Sequence, residues 1–585
     1  MLYFHQLQLN YKRYHMAIDL KAKPFYLSDT DIAWVEETLA GMSENDKLGQ
    51  LFCPSAMGDL DELIKEFDRI GLKPGATLFR KSTAEELRAK CEKVQNFSDI
   101  PMLIAADLDR GASNLIVEGT PNGHHMQIAA TNDPEIAYRA GLLCARECTA
   151  TGVNWDFGPV TDIDFNPYSP IVNVRSFGDD PEKVCEFTSR YAKGLADGGM
   201  LGCAKHWPGD GRDFRDQHFV ASVNDLSVEE WDATYGKVYG RLIDEGIPTV
   251  MTAHIMQPAY SRFFNPDIKD DEIMVGSLNY DLHNKLLRGK LGFNGLIVTD
   301  ASSMVGFTER VPREKAVPLS IANGADMFLF NRDMEEDFDF MKKGYQEGVI
   351  TPERLDEAVT RILAMKAAIG LHTKKAEGTL IPPLEALDIF KDPTGKAQAK
   401  EIADKGITLV RNEEGLLPFA PSVKNIYMIV VGDAGPGYHN KDFGYHKLFK
   451  EELEKRGYNV IVYDDANPDV PFSLGKSKIA DLRKKIDVIL YFANVQTSGG
   501  DSAARISWPG VRNTIPTLVR DIPTMMVSID NPYLLTDAPG FKTYVNAYTS
   551  ENVVVETLVE KLVGESEFKG VSPIDPLKGR FTAIN

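Results

Sequence analysis

Short apolar runs that end in polar or charged residues, each followed by a helical pattern, recur eight times in the first 330 residues of this chain. They cover residues 49–54, 75–80, 101–109, 153–163, 201–208, 247–255, 295–301 and 324–330. Strands that are apolar throughout need cover on both faces, and strands joined by helical crossovers run parallel. Eight such units predict an α/β fold, a (β/α)₈ TIM-like barrel. An open, doubly wound sheet is built from the same alternation. The count, and the gathering of charged residues at strand C-termini, favour the barrel. Several intervening helices open on an acidic residue and proline, as at Asp133-Pro134 and Asp180-Pro181, where the fixed φ of proline suits the first helical position.

Residues 1–30 read as an N-terminal extension, with Met16 an alternative start, and Asp31 to Met42 as a first helix carrying Trp34, Val35 and Leu39 on one face. The helix from Thr351 to Leu371, with Thr351 as N-cap, Pro352 next and Leu355, Val359, Ile362 and Leu363 at helical spacing, closes a first domain at 31–371. A proline-marked linker at 372–396 leads to a second domain at 397–585. Strands expected at 425–431, 458–463, 487–494, 522–529 and 541–547 alternate there with helices and predict a three-layer α/β sandwich around a mostly parallel sheet. GDAGPG at 432–437 superficially matches a dinucleotide fingerprint. The helix after it carries aromatic and charged residues where a tight pyrophosphate turn is needed, so it is read as a plain loop.

A formal net charge of -20 argues against nucleic-acid and anionic-membrane partners. No apolar run reaches membrane-spanning length, and MLYFHQLQLNYKRYHM lacks the parts of a signal peptide. The six cysteines, Cys53, Cys91, Cys144, Cys148, Cys185 and Cys203, show no zinc-like spacing and read as reduced core thiols of a cytoplasmic protein. Neither a metal nor an organic cofactor is indicated, and the oligomeric state is left open.

Charge concentrates in GCAKHWPGDGRDFRDQHFV, Gly202 to Val220, where an apolar strand empties into a loop turned by Pro208 and Gly209. Asp216 and His218, two apart in an extended segment, reach one small volume. A carboxylate touching an imidazole favours the charged ring and fixes its tautomer, which makes an acid and base suited to neutral pH. Read alone, the loop fits a surface stretch of solvated charges equally well.

The other strand ends decide between those readings. Asp107 and Asp109 close LIAADLD, Arg175 follows GPVTDIDFNPYSPIVNV, and Asp300 ends GLIVTD. A carboxylate ending a buried strand is costly to desolvate unless something uses it. Capping the next helix is the plain alternative for Asp300, and its companions favour function. Lys205 and Arg175 either neutralise this acidic rim or bind substrate oxygens. His206 stands between a structural histidine and a ligand contact, and His254, in VMTAHI, is placed at the same mouth.

With these residues assembled, the chain resembles glycoside hydrolase family 3, most closely its β-N-acetylglucosaminidase branch, from about Ser43 to the C-terminus. The likeness rests on KHWPGDG followed by DQH, similar to the branch's KHFPGHG and DSH, on GPVTDID with RSFG, and on VMTAHI. LGFNGLIVTDASSM is similar to the family's nucleophile strand, and AKEIADKGITLVRNEEGLLP to the start of its second domain. The resemblance implies a retaining double displacement on a terminal β-linked N-acetylglucosamine. Asp300 would be the nucleophile, and His218, held by Asp216, the acid and then the base. Asp107, Arg175, Lys205 and His206 would bind the sugar's hydroxyls. The chain departs from the branch in DLDRGASNL from Asp107, where DQEGG is usual, and in PGDG for PGHG. The alternatives are a phosphorylase acting on the same glycosides, since a histidine base repels phosphate less than a carboxylate does, a β-glucosidase or β-xylosidase, and a binding protein without turnover.

Overall fold

The computed structural model describes residues 17–433, 443–463, 474–497, 499, 505–508 and 514–578. The first sixteen residues of the expected extension and most of GDAGPG lie outside the described residues. Contacts divide the chain into two compact units, one of Met1–Thr120, Ala137–Ile163 and Val184–Pro393, the other of Pro121–Ile136, Asp164–Lys183 and Thr394–Asn585. Two segments inside the first expected domain, 121–136 and 164–183, thus group with the second unit.

The first unit contains β1 (Phe52–Cys53), β2 (Ser55–Ala56), β3 (Ala76–Phe79), β4 (Leu103–Ala106), β5 (Trp155–Asp156), β6 (Cys203–Trp207), β7 (Ser222–Val223), β8 (Thr249–Thr252), β9 (Ile255–Met256), β10 (Leu296–Thr299) and β11 (Phe328–Leu329). Their pairings are parallel: β1 with β11, β2 with β3, β3 with β4, β4 with β5, β6 with β8, β8 with β10 and β7 with β9. Parallel bridges also join Trp155 of β5 to Leu201, and Val298 of β10 to Met327. Strands β3, β4, β6, β8 and β10 are buried at every residue, which is why the sequence reads there as unbroken apolar runs.

Each of the eight predicted runs contains a strand, trimmed at its ends. The trimming is greatest in 153–163, where only Trp155–Asp156 is strand, because Pro159 has no N–H to give a ladder. The first helix spans Asp29–Gly41 and begins two residues earlier than predicted. Ser28 caps it and Asp31 bonds back to the Ser28 N–H, so Asp31 is the closing member of a capping box. The helix Pro352–Ala368 begins as predicted, with the Thr351 side chain accepting from Arg354 N.

Before β11, Asp326 anchors the strand ends away from the charged loop. Its carboxylate is fully buried and accepts from Arg288 at 2.7 Å, Arg354 at 2.6 Å and the Ile297 N–H at 2.8 Å. Those two guanidinium groups, that of Arg361 at 3.5 Å and the backbone donor therefore compensate its desolvation.

The second unit carries β12 (Thr408–Asn412), β13 (Asn425–Gly432), β14 (Asn459–Tyr463), β15 (Val488–Asn494), β16 (Thr524–Ser528) and β17 (Thr543–Asn546) in the order β12-β17-β16-β15-β13-β14. All pairs are parallel except β12 with β17. The edge strand β12 is absent from the sequence expectation. Period-two alternation sends Ile426, Met428, Leu490 and Phe492 into one apolar cluster and Tyr427, Ile429, Ile489 and Tyr491 into another, so both faces are covered.

Candidate active site

Strand β6 delivers Lys205 and His206 as neighbours. Lys205 is 1% exposed, and its ammonium lies 3.1 Å from both Asp107 and Asp109. Those two carboxylates follow β4, so one buried cation holds the ends of two strands together. Asp156, ending β5, adds a third acid. Burial pushes its carboxyl well up against the pull of Lys205, and the charges of Asp109 and Asp107 push the same way.

His206 is paired as well. Its Nδ1 donates to the buried Asp162 at 2.6 Å, and the same carboxylate accepts the N–H groups of His206 at 3.1 Å and Asp210 at 2.8 Å. A carboxylate offers only lone pairs, so the Nδ1 proton is fixed and Nε2 is the other face of the ring. The structural and functional readings of His206 thus coincide, since its position is set by the bond that orients it.

The loop after β6 carries the second aspartate-histidine pair. Asp216 is 2% exposed and accepts from His218 Nδ1 at 2.6 Å and from the His218 N–H at 2.9 Å. The Asp216 carbonyl accepts from Phe219 and Val220, so the segment is a turn and not the extended stretch expected. An aspartate that bonds the N–H two residues on curls the chain in this way. The turn is fixed to neighbouring elements. Gln217 accepts the His254 N–H at 2.9 Å, and the Gln217 and His218 carbonyls accept from Gly306 and Val305.

Asp300 follows β10 and is 6% exposed. Its backbone N–H donates to the Thr252 carbonyl at 2.7 Å, and its Oδ1 accepts from the Ala301 N–H at 2.7 Å. Burial pushes its carboxyl up, yet His206, His254, the Ala301 N–H and His218 together outweigh burial and hold it below the ordinary carboxylate range. Three histidines, two from β6 and the loop after it and one from the end of β8, therefore act on one carboxylate. His254 is buried, with Nε2 donating to the Ala301 carbonyl at 3.0 Å and Nδ1 accepting from Ser277 at 2.8 Å. Burial lowers its proton affinity, offset in part by Asp300.

Arg175 belongs to the second compact unit, in the turn Asn173–Arg175. There its guanidinium donates to the Ile171 carbonyl at 2.9 Å, and its own carbonyl bonds His125 at 2.9 Å. Asp156, Asp162 and Gln217 were missed as site residues. The first two were visible as acids inside GVNWDFGPVTDID, where an otherwise apolar run has no local use for charge. Among the described residues no group of three or more His, Cys, Asp or Glu side chains is arranged to hold a metal ion. Two carboxylate-imidazole pairs beside an ionised carboxylate instead suit nucleophilic attack with proton transfer.

A profile of the glycosyl hydrolase family 3 N terminal domain matches residues 44–365. The Beta-N-acetylglucosaminidase/beta-glucosidase of Cellulomonas fimi is 42% identical over 569 residues, which is 96% of this chain and 99% of that protein. A solved structure of Beta-glucoside phosphorylase BglX bound to 2FGlc is 42% identical and superposes with a TM-score of 0.89 over 97% of this chain and 100% of the other. The fold is also that of a glycoside hydrolase family 3 beta-N-acetylglucosaminidase from Paenibacillus sp. str. FPU-7, at 22% identity and a TM-score of 0.73 over 92% of this chain and 99% of that one. With an ionised carboxylate, a carboxylate-held imidazole and this likeness along its whole length, the chain belongs to glycosyl hydrolase family 3 and is a glycosidase acting on O-glycosyl bonds.

Proposed function

We propose that the chain removes terminal β-linked N-acetylglucosamine with retention of configuration, through a glycosyl-enzyme intermediate. Asp300 attacks the anomeric carbon as the glycosidic bond breaks, and His218 gives its Nε2 proton to the departing oxygen. His218 then takes a proton from the acceptor that releases the sugar from Asp300. Asp216 fixes the imidazole's orientation throughout. Asp107, Lys205 and His206 bind the sugar's hydroxyls.

The observation that carries this reading is the field at Asp300, which keeps a buried carboxylate ionised and includes the imidazole of His218. The first unit is read as the expected (β/α)₈ barrel, supported by its chain of parallel neighbours from β1 and β2 round to β11. The second is read as the expected sandwich, with clusters on both sheet faces in support. Six buried cysteines outside any disulfide support a reducing compartment and the cytoplasm.

The test is trapping. A fluorinated N-acetylglucosaminyl substrate should leave one sugar mass on the peptide holding Asp300, and Asp300→Asn should lose turnover and recover it with azide. Labelling on any other carboxylate refutes the assignment. A second reading, transfer of the sugar to phosphate, is supported by the name of the solved relative and by the imidazole base. Formation of a sugar 1-phosphate at rates that rise with phosphate, with hydrolysis slow in its absence, would select it. Faster turnover of aryl glucosides than of the N-acetyl sugar would select a β-glucosidase instead.

A further inference from the structure

Large apolar side chains stand in water around the dyad loop. Phe219, the residue after His218, is 50% exposed, and Phe214, two residues before Asp216, is 59% exposed. Val305, whose N–H donates to the His218 carbonyl at 3.1 Å, is 46% exposed. The backbone presenting them is tied down. Asp213 accepts from the N–H groups of Arg215 and Val223 at 3.0 Å, Asp216 from those of Phe219 and Val220, and Glu309 from that of Ala221. The loop's cations are engaged too, Arg215 with Asp213 at 2.7 Å and Arg212 with Asp225 at 2.8 Å. What the rim offers is therefore apolar surface on a fixed scaffold, and clustered apolar surface marks a contact site.

The chemistry names the contact. An acid that protonates a departing oxygen must lie within about 3 Å of it, so the group bonded to that oxygen begins beside His218 and extends over its neighbours. We propose that Phe219 and Val305, continued by Phe214, form the platform for the leaving group, and that this platform selects neutral apolar aglycones, alkyl or aryl, over charged ones. The inference rests on His218 being the acid of the proposed function.

Methyl, propyl and hexyl β-N-acetylglucosaminides and the matching glucosides share nearly equal leaving-group basicity and differ in apolar length. With phosphate present, so that either acceptor is served, kcat/KM should rise from methyl to hexyl by roughly tenfold, the gain of a couple of buried methylenes. Phe219→Ser and Val305→Ser should each bring that ratio towards one. Dividing each variant's hexyl rate by its own methyl rate removes any loss from disturbing His218, and Val305→Ser still reports if Phe219→Ser fails to fold. A wild-type ratio near one, or ratios unchanged in the folded variants, overturns the platform while leaving the proposed function standing. A flat series together with a dimer that Phe219→Ser dissociates would give the patch to a second copy of the chain instead. Turnover of glucosides alone overturns the sugar assignment, and the platform is then judged on that series. Turnover of neither overturns both.

Discussion

Replacing Asp216 by asparagine separates the two jobs of this carboxylate. The side chain keeps its size and one acceptor oxygen for the His218 N–H, now at 2.9 Å, and loses the charge that faces Nδ1 at 2.6 Å. A hydrogen bond to an ionised partner contributes about 1.5–3 kcal/mol against about 0.5–1.5 for a neutral one, so the variant gives up roughly 1–2 kcal/mol of charged interaction. At about 1.4 kcal/mol per tenfold in rate, that is roughly a 5- to 30-fold loss in any step that depends on His218 delivering its proton. Departure of an alkoxide depends on it fully, and departure of a dinitrophenolate hardly at all. The assay is kcat/KM over glycosides whose leaving groups run from dinitrophenol to simple alcohols. The variant's line against leaving-group pKa should be steeper, with the two enzymes meeting at the most acidic phenols. An equal loss along the whole series would reduce Asp216 to a support of the loop, and no loss anywhere would remove His218 from the acid's role.

The buried Asp326 should be the most costly charge to neutralise in the first unit. Asp326→Asn leaves the buried Arg288 without the carboxylate it bonds and takes from Arg354 one of its carboxylates, Glu357 at 2.9 Å remaining, and a loss of about 3–5 kcal/mol in urea unfolding is expected. In the second unit, burial pushes the Asp164 carboxyl up to about 7 although Lys578 and the Tyr533 hydroxyl favour its charge. Its folded value is raised above the usual 3.8, so the stability it gives is complete below that value and is lost as pH rises to about 7. Asp164→Asn should flatten the melting temperature across that window. Burial, with the charge of Lys375, lowers Lys366 to about 7 from its ordinary 10.5. That stability is present above the unfolded value and is lost as pH falls towards about 7. Lys366→Met should therefore shrink the rise in melting temperature between neutral and alkaline pH, and an unchanged rise would show that this amine does not set it.

The residues that sequence reading found are those whose chemistry conflicts with their local setting. Asp300 and Lys205 are charges at the ends of apolar runs, and Asp216 and His218 remain adjacent whether their segment is extended or turned. Finding that turn required knowing which N–H groups the Asp216 carbonyl accepts, and many sequences can adopt either form. Asp162 was harder to read. Its use is to hold His206, 44 residues away, and an acid within GPVTDID signals only that some partner is needed. Arg175 shows the limit in another form. Its segment, 164–183, is grouped with the second unit by contacts that sequence order conceals. β12 was overlooked because Thr408–Asn412 is half-buried and mixed in polarity, as an edge strand is, and it carries no unbroken apolar run.

What makes these separate strand ends one site is a continuous set of bonds through His254. Gln217, lying between Asp216 and His218, accepts the His254 N–H, and the His254 ring donates to the Ala301 carbonyl. The N–H of Ala301 in turn holds the Asp300 carboxylate. The loop carrying His218 and the Asp300 carboxylate are thus referenced to the same imidazole, which is fully buried and has both ring nitrogens engaged. A loop alone would not keep His218 at a fixed distance from Asp300, because loops carry function only where a rigid scaffold positions them. Here the scaffold is the end of β8, and burial lowers the proton affinity of the histidine that braces the carboxylate.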